Sequence, residues 1–266
     1  MKKFLRSFKL AAISLSLVAL AACGTSTETT QESAEGSTGG EAVEETIKLV
    51  AGTDAAFAPF EFLDKGEIVG FDADILAAIA EVAGIEIEMR NVGWEPLFPS
   101  LANGDIDLGA SAITITDERK ETYDFSSPYF ESTHMMVFKE EAGISNALDI
   151  VGKRIGAQIA TTGETAAAKV LEENGGDVNS ISKYENTAVA FMALASGDVE
   201  VVVTDNVVAL EYIKNNPNSG FVAIPDTENF EAEYYGLMFQ KDSEYRAMIN
   251  EALKTIIENG TYEEIY

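Results

Sequence analysis

Side chains that could bind a small zwitterion recur along the chain at the ends of short apolar runs. Asp54 stands beside Phe57, and a run of hydroxyl residues precedes Arg119. A carboxylate can accept an ammonium group, and an arginine can hold a carboxylate through two parallel hydrogen bonds. A plainer reading of each segment stays open: a surface loop around Asp54, and an ion pair of Arg119 with Asp117 or Glu118.

Two later segments offer the same chemistry. Thr161 and Glu164 have the spacing of a capping box that opens a helix. Free amides at a helix N-terminus also attract anions, so a cap and an anion site are compatible there. Asp205 follows an apolar run at 199–203. It could cap the next helix or accept an ammonium group.

The elements that would position these side chains follow a β-α-β-α-β order. Apolar periodicity and glycine boundaries predict them in the first half of the chain. The predicted elements are strand 47–52, helix 73–82, strand 85–89, helix 94–102 and strand 106–110. This order is typical of a mostly parallel sheet flanked by helices.

The same order recurs further along, which predicts a second lobe. Its elements are strand 154–157, helix 165–172, helix 188–195 and strand 199–203. A short repeat, 101–107 against 194–200, has a helix end, a glycine and then a strand in both copies. Since ligands gather beyond the carboxyl ends of parallel strands, two such lobes would face a shared cleft.

The N-terminus predicts export and anchoring. Lys2, Lys3 and Arg6 form a basic start, and the apolar run 10–22 is too short to span a bilayer. It ends at Cys23, which is the only cysteine of the chain. The Leu-Ala-Ala-Cys-Gly stretch resembles the bacterial lipobox. That resemblance implies a diacylglycerol-modified Cys23 as the mature N-terminus and a protein body held on the outer face of a membrane.

Residues after Cys23 predict a tether and a two-lobed body. Thr, Ser, Glu, Gly, Gln and Ala dominate residues 25–45, a composition typical of a disordered segment. The predicted division is a signal peptide at 1–22, a lipidated tether at 23–46, a first lobe at 47–132 plus 233–266, and a second lobe at 133–232. Two hinge strands, near 131–138 and 232–238, would join the lobes.

Composition limits the possible partners. The formal net charge of −27 over 266 residues argues against nucleic acid, whose phosphates require a basic surface. His134 is the only histidine and has no clustered cysteines or acids around it in the sequence, which disfavours a metal site. We expect a monomer without metal or cofactor.

Several motifs resemble one family over residues 47–266. They resemble the polar amino acid-binding proteins of ABC importers, solute-binding protein family 3. The motifs are 52–61, 69–74, 113–120 and 123–129. Further segments most resemble the arginine/lysine/histidine-binding members: 91–98, 157–163 and 233–236. The resemblance implies an α/β, two-lobed periplasmic-binding-protein-like fold, with each lobe a mostly parallel sheet flanked by helices.

The resemblance also implies roles for individual residues. The ligand α-carboxylate would be held by Arg119 with the amides of Thr114 and Thr162. The α-ammonium would be taken by Asp205 with the carbonyl of Ala112 and with Ser111. Phe57 and Trp94 would enclose the ligand side chain, whose far end would meet Asp54, with Gln158 and Glu61 as further candidates. Ala112 stands where relatives commonly have glycine, a change expected to be mild because its carbonyl is the group that matters.

The sequence thus predicts an extracytoplasmic lipoprotein that delivers a basic amino acid to an ABC permease. Arginine is the first expectation and lysine or histidine the next, since a buried cation needs a paired carboxylate such as Asp54. Glutamine and cystine remain alternatives, as do a dehydratase-type enzyme and a sensor without a transporter. We expect no enzyme activity. The acidic tether and the lipobox favour a Gram-positive cell surface.

Overall fold

The computed structural model of the protein describes residues 46–266. The predicted signal peptide, Cys23 and the tether up to residue 45 lie outside the described residues. Within 46–266, no helix combines the length and apolar character that crossing a membrane requires.

The described chain alternates short strands with helices. The strands are β1 Lys48–Thr53, β2 Ala56–Phe57, β3 Glu61–Asp64, β4 Glu67–Val69, β5 Glu86–Asn91, β6 Leu108–Gly109, β7 Tyr123–Phe125, β8 Phe130–Ser132, β9 His134–Lys139, β10 Ile155–Gln158, β11 Ile181–Tyr184, β12 Val201–Asp205, β13 Phe221–Pro225, β14 Glu233–Tyr235 and β15 Met238–Gln240. The helices are α1 Phe71–Ala83, α2 Trp94–Asn103, α3 Asp117–Thr122, α4 Thr162–Glu173, α5 Thr187–Ser196, α6 Asn206–Asn215, α7 Tyr245–Glu258 and α8 Thr261–Ile265.

Two five-stranded sheets of like topology organise the residues from 46 onward. The order in the first lobe is β5-β1-β6-β15-β7, and in the second lobe β11-β10-β12-β9-β13. In the first sheet β1 pairs in parallel with β5 and β6, and in the second sheet β10 pairs in parallel with β11 and β12. The two-lobed α/β fold predicted from the sequence is confirmed.

One strand in each sheet runs against the others. β15 is antiparallel to both β6 and β7, and β9 is antiparallel to both β12 and β13. Each of these reversed strands directly follows a strand of a separate pair, β8 and β14, which are antiparallel to each other. The chain therefore crosses between the lobes along β8 and β14, entering the second lobe by β9 and returning to the first by β15.

The repeated segments end their helices in the same way. Gly104 follows α2 with φ 79° and Gly197 follows α5 with φ 85°. Both angles lie in the left-handed region that glycine enters without steric cost, so the helix stops there and the chain turns toward a strand. The predicted correspondence of the two helix ends is confirmed.

The central strands of the two sheets consist mainly of buried residues. Ala51, Leu108, Ile155 and Val201 are completely buried on parallel strands of the two sheets. Strands covered on both faces place their polar residues at their ends, because a buried polar group without a partner is costly. The polar side chains therefore gather where the strands stop.

Candidate ligand-binding site

A cavity lies where the strand ends of the two lobes meet. Asp54 follows β1, Ser111 follows β6 by two residues, Gln158 ends β10, and Asp205 ends β12. The cavity is lined by Asp54, Phe57, Glu61, Trp94, Ser111, Ala112, Thr114, Arg119, Gln158, Thr161, Thr162 and Asp205. Every side chain singled out from the sequence as a ligand contact lies in this wall, and Thr161 joins them.

Arg119 provides the cation of the cavity. It lies on α3, where its backbone amide donates to the hydroxyl of Thr116 at 3.1 Å. Nη1 donates to the carbonyl of Thr114 at 2.8 Å, and Nη2 to that of Ala160 at 3.4 Å. Burial lowers the pKa of Arg119, and the charges of Glu233 and Asp205 act in the opposite direction. A guanidinium stays cationic at neutral pH, so it can bind a carboxylate.

The Arg119 guanidinium lies over two aromatic rings. Its central carbon lies 5.3 Å from the ring centroid of Trp94 and 5.4 Å from that of Phe98. The two rings meet edge to face with centroids 5.0 Å apart. A cation over an aromatic face gains electrostatic attraction, so Trp94 orients Arg119 in addition to lining the cavity. Phe98 ends the 91–98 motif, but no role was assigned to it from the sequence.

The N-terminus of α4 faces the same space. The Thr161 hydroxyl accepts from the Glu164 amide at 3.2 Å, and the Glu164 carboxylate accepts from the Ala160 amide at 2.7 Å. The amides of Thr162 and Gly163 begin the helix and cannot bond within it. The cap leaves these amides free, so capping is compatible with the anion site expected from the sequence.

Asp205 supplies a carboxylate from the second lobe. Oδ2 accepts a short hydrogen bond from the Tyr235 hydroxyl, and Oδ1 lies 3.9 Å from Nε2 of His134. Within the described chain its side chain makes no capping bond to α6, so the capping alternative is not what the geometry shows. Burial and the charge of Asp205 raise the pKa of Tyr235 well above its ordinary value. Tyr235 therefore remains a donor.

Asp54 supplies a second carboxylate from the first lobe, and it is only 8% exposed. Its amide donates to the Ser111 hydroxyl at 3.0 Å, and Oδ2 accepts from Nε2 of Gln158 at 2.9 Å. Burial raises the pKa of Asp54, the bond from Gln158 opposes that rise, and the charge of Glu185 adds to it. Gln158 also donates to the Glu185 carbonyl at 3.2 Å.

Glu61 lies in the floor of the cavity and is fully buried. Oε1 accepts from the Ser111 hydroxyl at 2.9 Å, while Oε2 has no partner among residues 46–266. Burial first, and then the neighbouring charge of Asp72, raise the pKa of Glu61 well above its ordinary value. The uncharged form of Glu61 is therefore favoured more strongly than that of an exposed glutamate.

Ala112 adopts a left-handed backbone conformation with φ 46°. Its amide donates to Oδ2 of Asp72 at 2.8 Å, which holds the turn in place. An alanine in this region carries a steric cost that a glycine would not. The change from glycine therefore affects the backbone as well, beyond the carbonyl that the sequence argument considered.

Three residues near the cavity received no role from the sequence. Glu233 accepts from two threonine hydroxyls, Tyr235 donates to Asp205, and His134 lies beside both carboxylates. The 233–236 segment was recognisable as a motif, but the partners of its side chains are distant in the sequence. Among residues 46–266, no cluster of His, Cys, Asp and Glu could hold a metal ion.

Residues 49–266 match the family of bacterial extracellular solute-binding proteins, family 3. The chain belongs to family 3 of these extracellular solute-binding proteins. A similar solved structure is the arginine-, lysine-, histidine-binding protein ArtJ from the thermophilic bacterium Geobacillus stearothermophilus. It has a TM-score of 0.79 and 53% sequence identity, and the match covers 82% of this chain and 93% of that chain.

Two curated relatives of this family 3 member share substantial identity with it. A probable histidine-binding protein of Neisseria gonorrhoeae is 39% identical over 219 residues, 80% of each chain. The arginine-binding extracellular protein ArtP of Bacillus subtilis (strain 168) is 34% identical over 266 residues, covering 100% of this chain and 96% of the relative. These relatives are solute-binding proteins.

Proposed function

We propose that this chain captures a basic amino acid, arginine first and then lysine or histidine, in the cleft between its lobes. The observation that carries the proposal is the charge of the cavity wall. Its basic group is Arg119 and its acidic groups are Asp54, Asp205 and Glu61, of which Glu61 is fully buried with its pKa raised well above the ordinary value. The carboxylate and ammonium of an amino acid match Arg119 and Asp205. Asp54 is left for a cationic side chain, which offsets the cost of a buried unpaired carboxylate.

The remaining contacts follow from the same assignment. The free amide of Thr162 at the start of α4, with that of Thr114, would assist Arg119 in holding the α-carboxylate. Ser111 and the carbonyl of Ala112 would assist Asp205. Phe57 and Trp94 would enclose the methylene groups of the ligand.

Glutamine is a second candidate because one contact favours it. Nε2 of Gln158 already donates to Asp54 at 2.9 Å, so a primary amide satisfies that carboxylate geometrically. A ligand amide could take the same position, although it would leave the charge of Asp54 unmatched.

We further propose that the protein works as the lipid-anchored component of an ABC importer. Cys23 would carry the lipid, residues 25–45 would form the tether, and the loaded protein would deliver its amino acid to the permease as a monomer. The lipobox-like sequence and the family membership support this role, and the acidic tether favours a Gram-positive cell surface. No enzyme activity is part of the proposal. A dehydratase acting on a dianionic substrate would place a second carboxylate beside Asp54.

Thermal unfolding of the full chain in detergent, with each amino acid in turn, tests the ligand. A ligand at 100 times its dissociation constant adds about 2.7 kcal/mol of stability. We expect stabilisation by arginine, lysine or histidine. Stabilisation by glutamine or cystine alone would overturn the specificity and keep the binding role. Stabilisation by prephenate alone, or by nothing, would overturn the binding role. Mass spectrometry of the native N-terminus tests the lipid on Cys23.

A further inference from the structure

A single carboxylate oxygen on the hinge joins the two lobes. Oε2 of Glu233 accepts from the Thr162 hydroxyl at 2.7 Å and from the Thr114 hydroxyl at 3.0 Å. The two hydroxyl oxygens are 3.3 Å apart. The Glu233 side chain is 19% exposed, so these bonds are largely shielded from water. Hydrogen bonds to a charged acceptor are stronger than those between neutral groups.

The three residues belong to three different parts of the molecule. Thr114 lies in the first lobe, after β6 and before α3. Thr162 is the first residue of α4 in the second lobe. Glu233 begins β14, the strand that pairs with β8 where the chain crosses between the lobes. The contact with both threonines therefore exists only while the lobes are close together.

Glu233 is not among the residues that line the cavity. Thr114 and Thr162 line the cavity, and Glu233 meets them through their hydroxyl groups. Nε2 of His134 also approaches from this side, 3.4 Å from the Thr162 hydroxyl and 3.7 Å from Oε2 of Glu233. A bound amino acid would contact the threonine amides from the cavity side. Ligand and Glu233 therefore do not compete for the same space.

We propose that Glu233 is an interlobe latch, a positioning residue that stabilises the closed state through Thr114 and Thr162. The inference rests on the proposed function, in which closure around an amino acid retains the ligand. Opening the cleft separates the two threonines, so Glu233 loses at least one of its donors. In this proposal Glu233 does not contact the ligand side chain, so it favours the closed state equally for every amino acid. A ligand shifts the open–closed equilibrium only through contacts that differ between the two states.

The chain carries its own reporter of closure. Trp94 is the only tryptophan, it is 7% exposed, and its indole nitrogen donates to the Ala160 carbonyl of the second lobe at 3.3 Å. Its accessibility to acrylamide, measured by fluorescence quenching, therefore follows the separation of the lobes without any added label.

The experiment compares Glu233→Ala, Glu233→Gln and a control, Glu231→Ala, in the full chain in detergent. Glu231 lies two residues earlier, and its side chain is 90% exposed. In Glu233→Ala we expect stronger quenching of Trp94 without ligand. Arginine and glutamine should each bind about tenfold more weakly and by the same factor, chiefly through faster dissociation. Glu233→Gln keeps a carbonyl acceptor and should recover most of the loss, and Glu231→Ala should match the wild type.

A second variant separates the latch from a general structural role. Thr162→Val removes one donor but keeps the backbone amide. We expect it to reproduce the quenching and dissociation effects of Glu233→Ala, with the unfolding midpoint of the ligand-free protein unchanged.

Three results would overturn the latch. One is unchanged quenching and affinity in Glu233→Ala, and another is a loss confined to arginine, which would make Glu233 a side-chain contact. The third is a fall in the unfolding midpoint of Thr162→Val with unaltered quenching. A wild type that binds no amino acid would instead remove the proposed function, and the ligand-free quenching comparison would still decide the latch.

Discussion

Gln158 donates from Nε2 to Oδ2 of Asp54 at 2.9 Å, a hydrogen bond that joins the second lobe to the first. Oε1 of Gln158 accepts from the Thr187 hydroxyl at 3.0 Å, so the amide is held from both ends. A cationic ligand must displace this amide from Asp54 or share the carboxylate with it. Replacement of the Gln158 amide at Asp54 favours a charged ligand group over a neutral amide, because a hydrogen bond from a charged donor is stronger.

The first prediction concerns Asp54→Asn, which keeps the shape of the side chain and removes its charge. We expect arginine to bind about 30-fold more weakly, because its side-chain cation loses its counter-charge, and glutamine to bind nearly as well as before. Calorimetric titration with both ligands measures the ratio. An unchanged preference for arginine would show that Asp54 does not set the specificity.

The same carboxylate predicts a pH dependence of arginine binding. Burial raises the pKa of Asp54 above its ordinary value of 3.8. A proton on Asp54 therefore competes with the ligand cation at a higher pH than it would at an exposed aspartate. We expect arginine affinity to fall as the pH is lowered through the raised pKa of Asp54 in the wild type, and to fall less in Asp54→Asn.

Arg119→Ala should weaken every amino acid alike. It removes the cation proposed to bind the α-carboxylate, a group that all amino acids share. We expect a loss of about 100-fold or more for arginine and for glutamine. Arg90→Ala is the matched control, since Arg90 is an exposed arginine on β5 of the same lobe. Retained binding in Arg119→Ala would show that the α-carboxylate of the ligand is bound elsewhere.

The buried acid Asp72 should make stability depend on pH. Burial raises its pKa from 3.8 to about 6, against the effect of bonds from the Ala112 amide and the Tyr129 hydroxyl. The folded protein thus binds this proton more tightly than the unfolded chain does. The stabilisation is fully present below pH 3.8, is lost as the pH rises to about 6, and amounts to about 3 kcal/mol.

Urea unfolding of Asp72→Asn between pH 4 and pH 7 measures this contribution. We expect the variant to lose less stability than the wild type as the pH rises, whatever its stability at pH 4. Asp74→Asn, an exposed acid on the same helix, should follow the wild-type slope. Equal slopes for Asp72→Asn and the wild type would show that Asp72 titrates normally.

Gly70 stands at a position that another residue can hardly occupy. Its φ is 124°, and a Cβ there would lie 2.4 Å from the carbonyl oxygen of Phe60 and 2.6 Å from that of Pro59. We expect Gly70→Ala to cost about 3 kcal/mol or more in the free energy of unfolding by urea. Gly66→Ala also has a positive φ but meets nothing within 4 Å, so it should cost less. Equal losses in the free energy of unfolding of the two variants would show that the clash with the carbonyl oxygens does not contribute.

Local patterns in the sequence predicted most of the fold because they depend on neighbours in the chain. The apolar periods at 73–82 and 94–102 and the glycines at 104 and 197 determine helices and their ends, and the strand ends then locate the cavity. The reversed direction of β9 and β15 was not predictable in this way. It depends on the pairing of β8 with β14, which are about a hundred residues apart.

Part of the site could be predicted from the sequence for the same reason. Asp54, Arg119 and Asp205 carry charges at strand ends or at a helix start, which the sequence shows directly. Glu233 was not assigned a role, because its two partners lie 119 and 71 residues away. The raised pKa of Glu61 depends on its complete burial, which only the packed structure reveals.

The place of β15 has a consequence for the order in which the molecule is assembled. Residues 238–240 fill the gap between β6 and β7 in the first sheet, whereas the strands of the second sheet all lie within residues 134–225. The second lobe is thus complete in the growing chain before the first lobe can close. We expect the first lobe, although it is made earlier, to reach its native structure last. Until then the exposed edges of its sheet are open to aggregation.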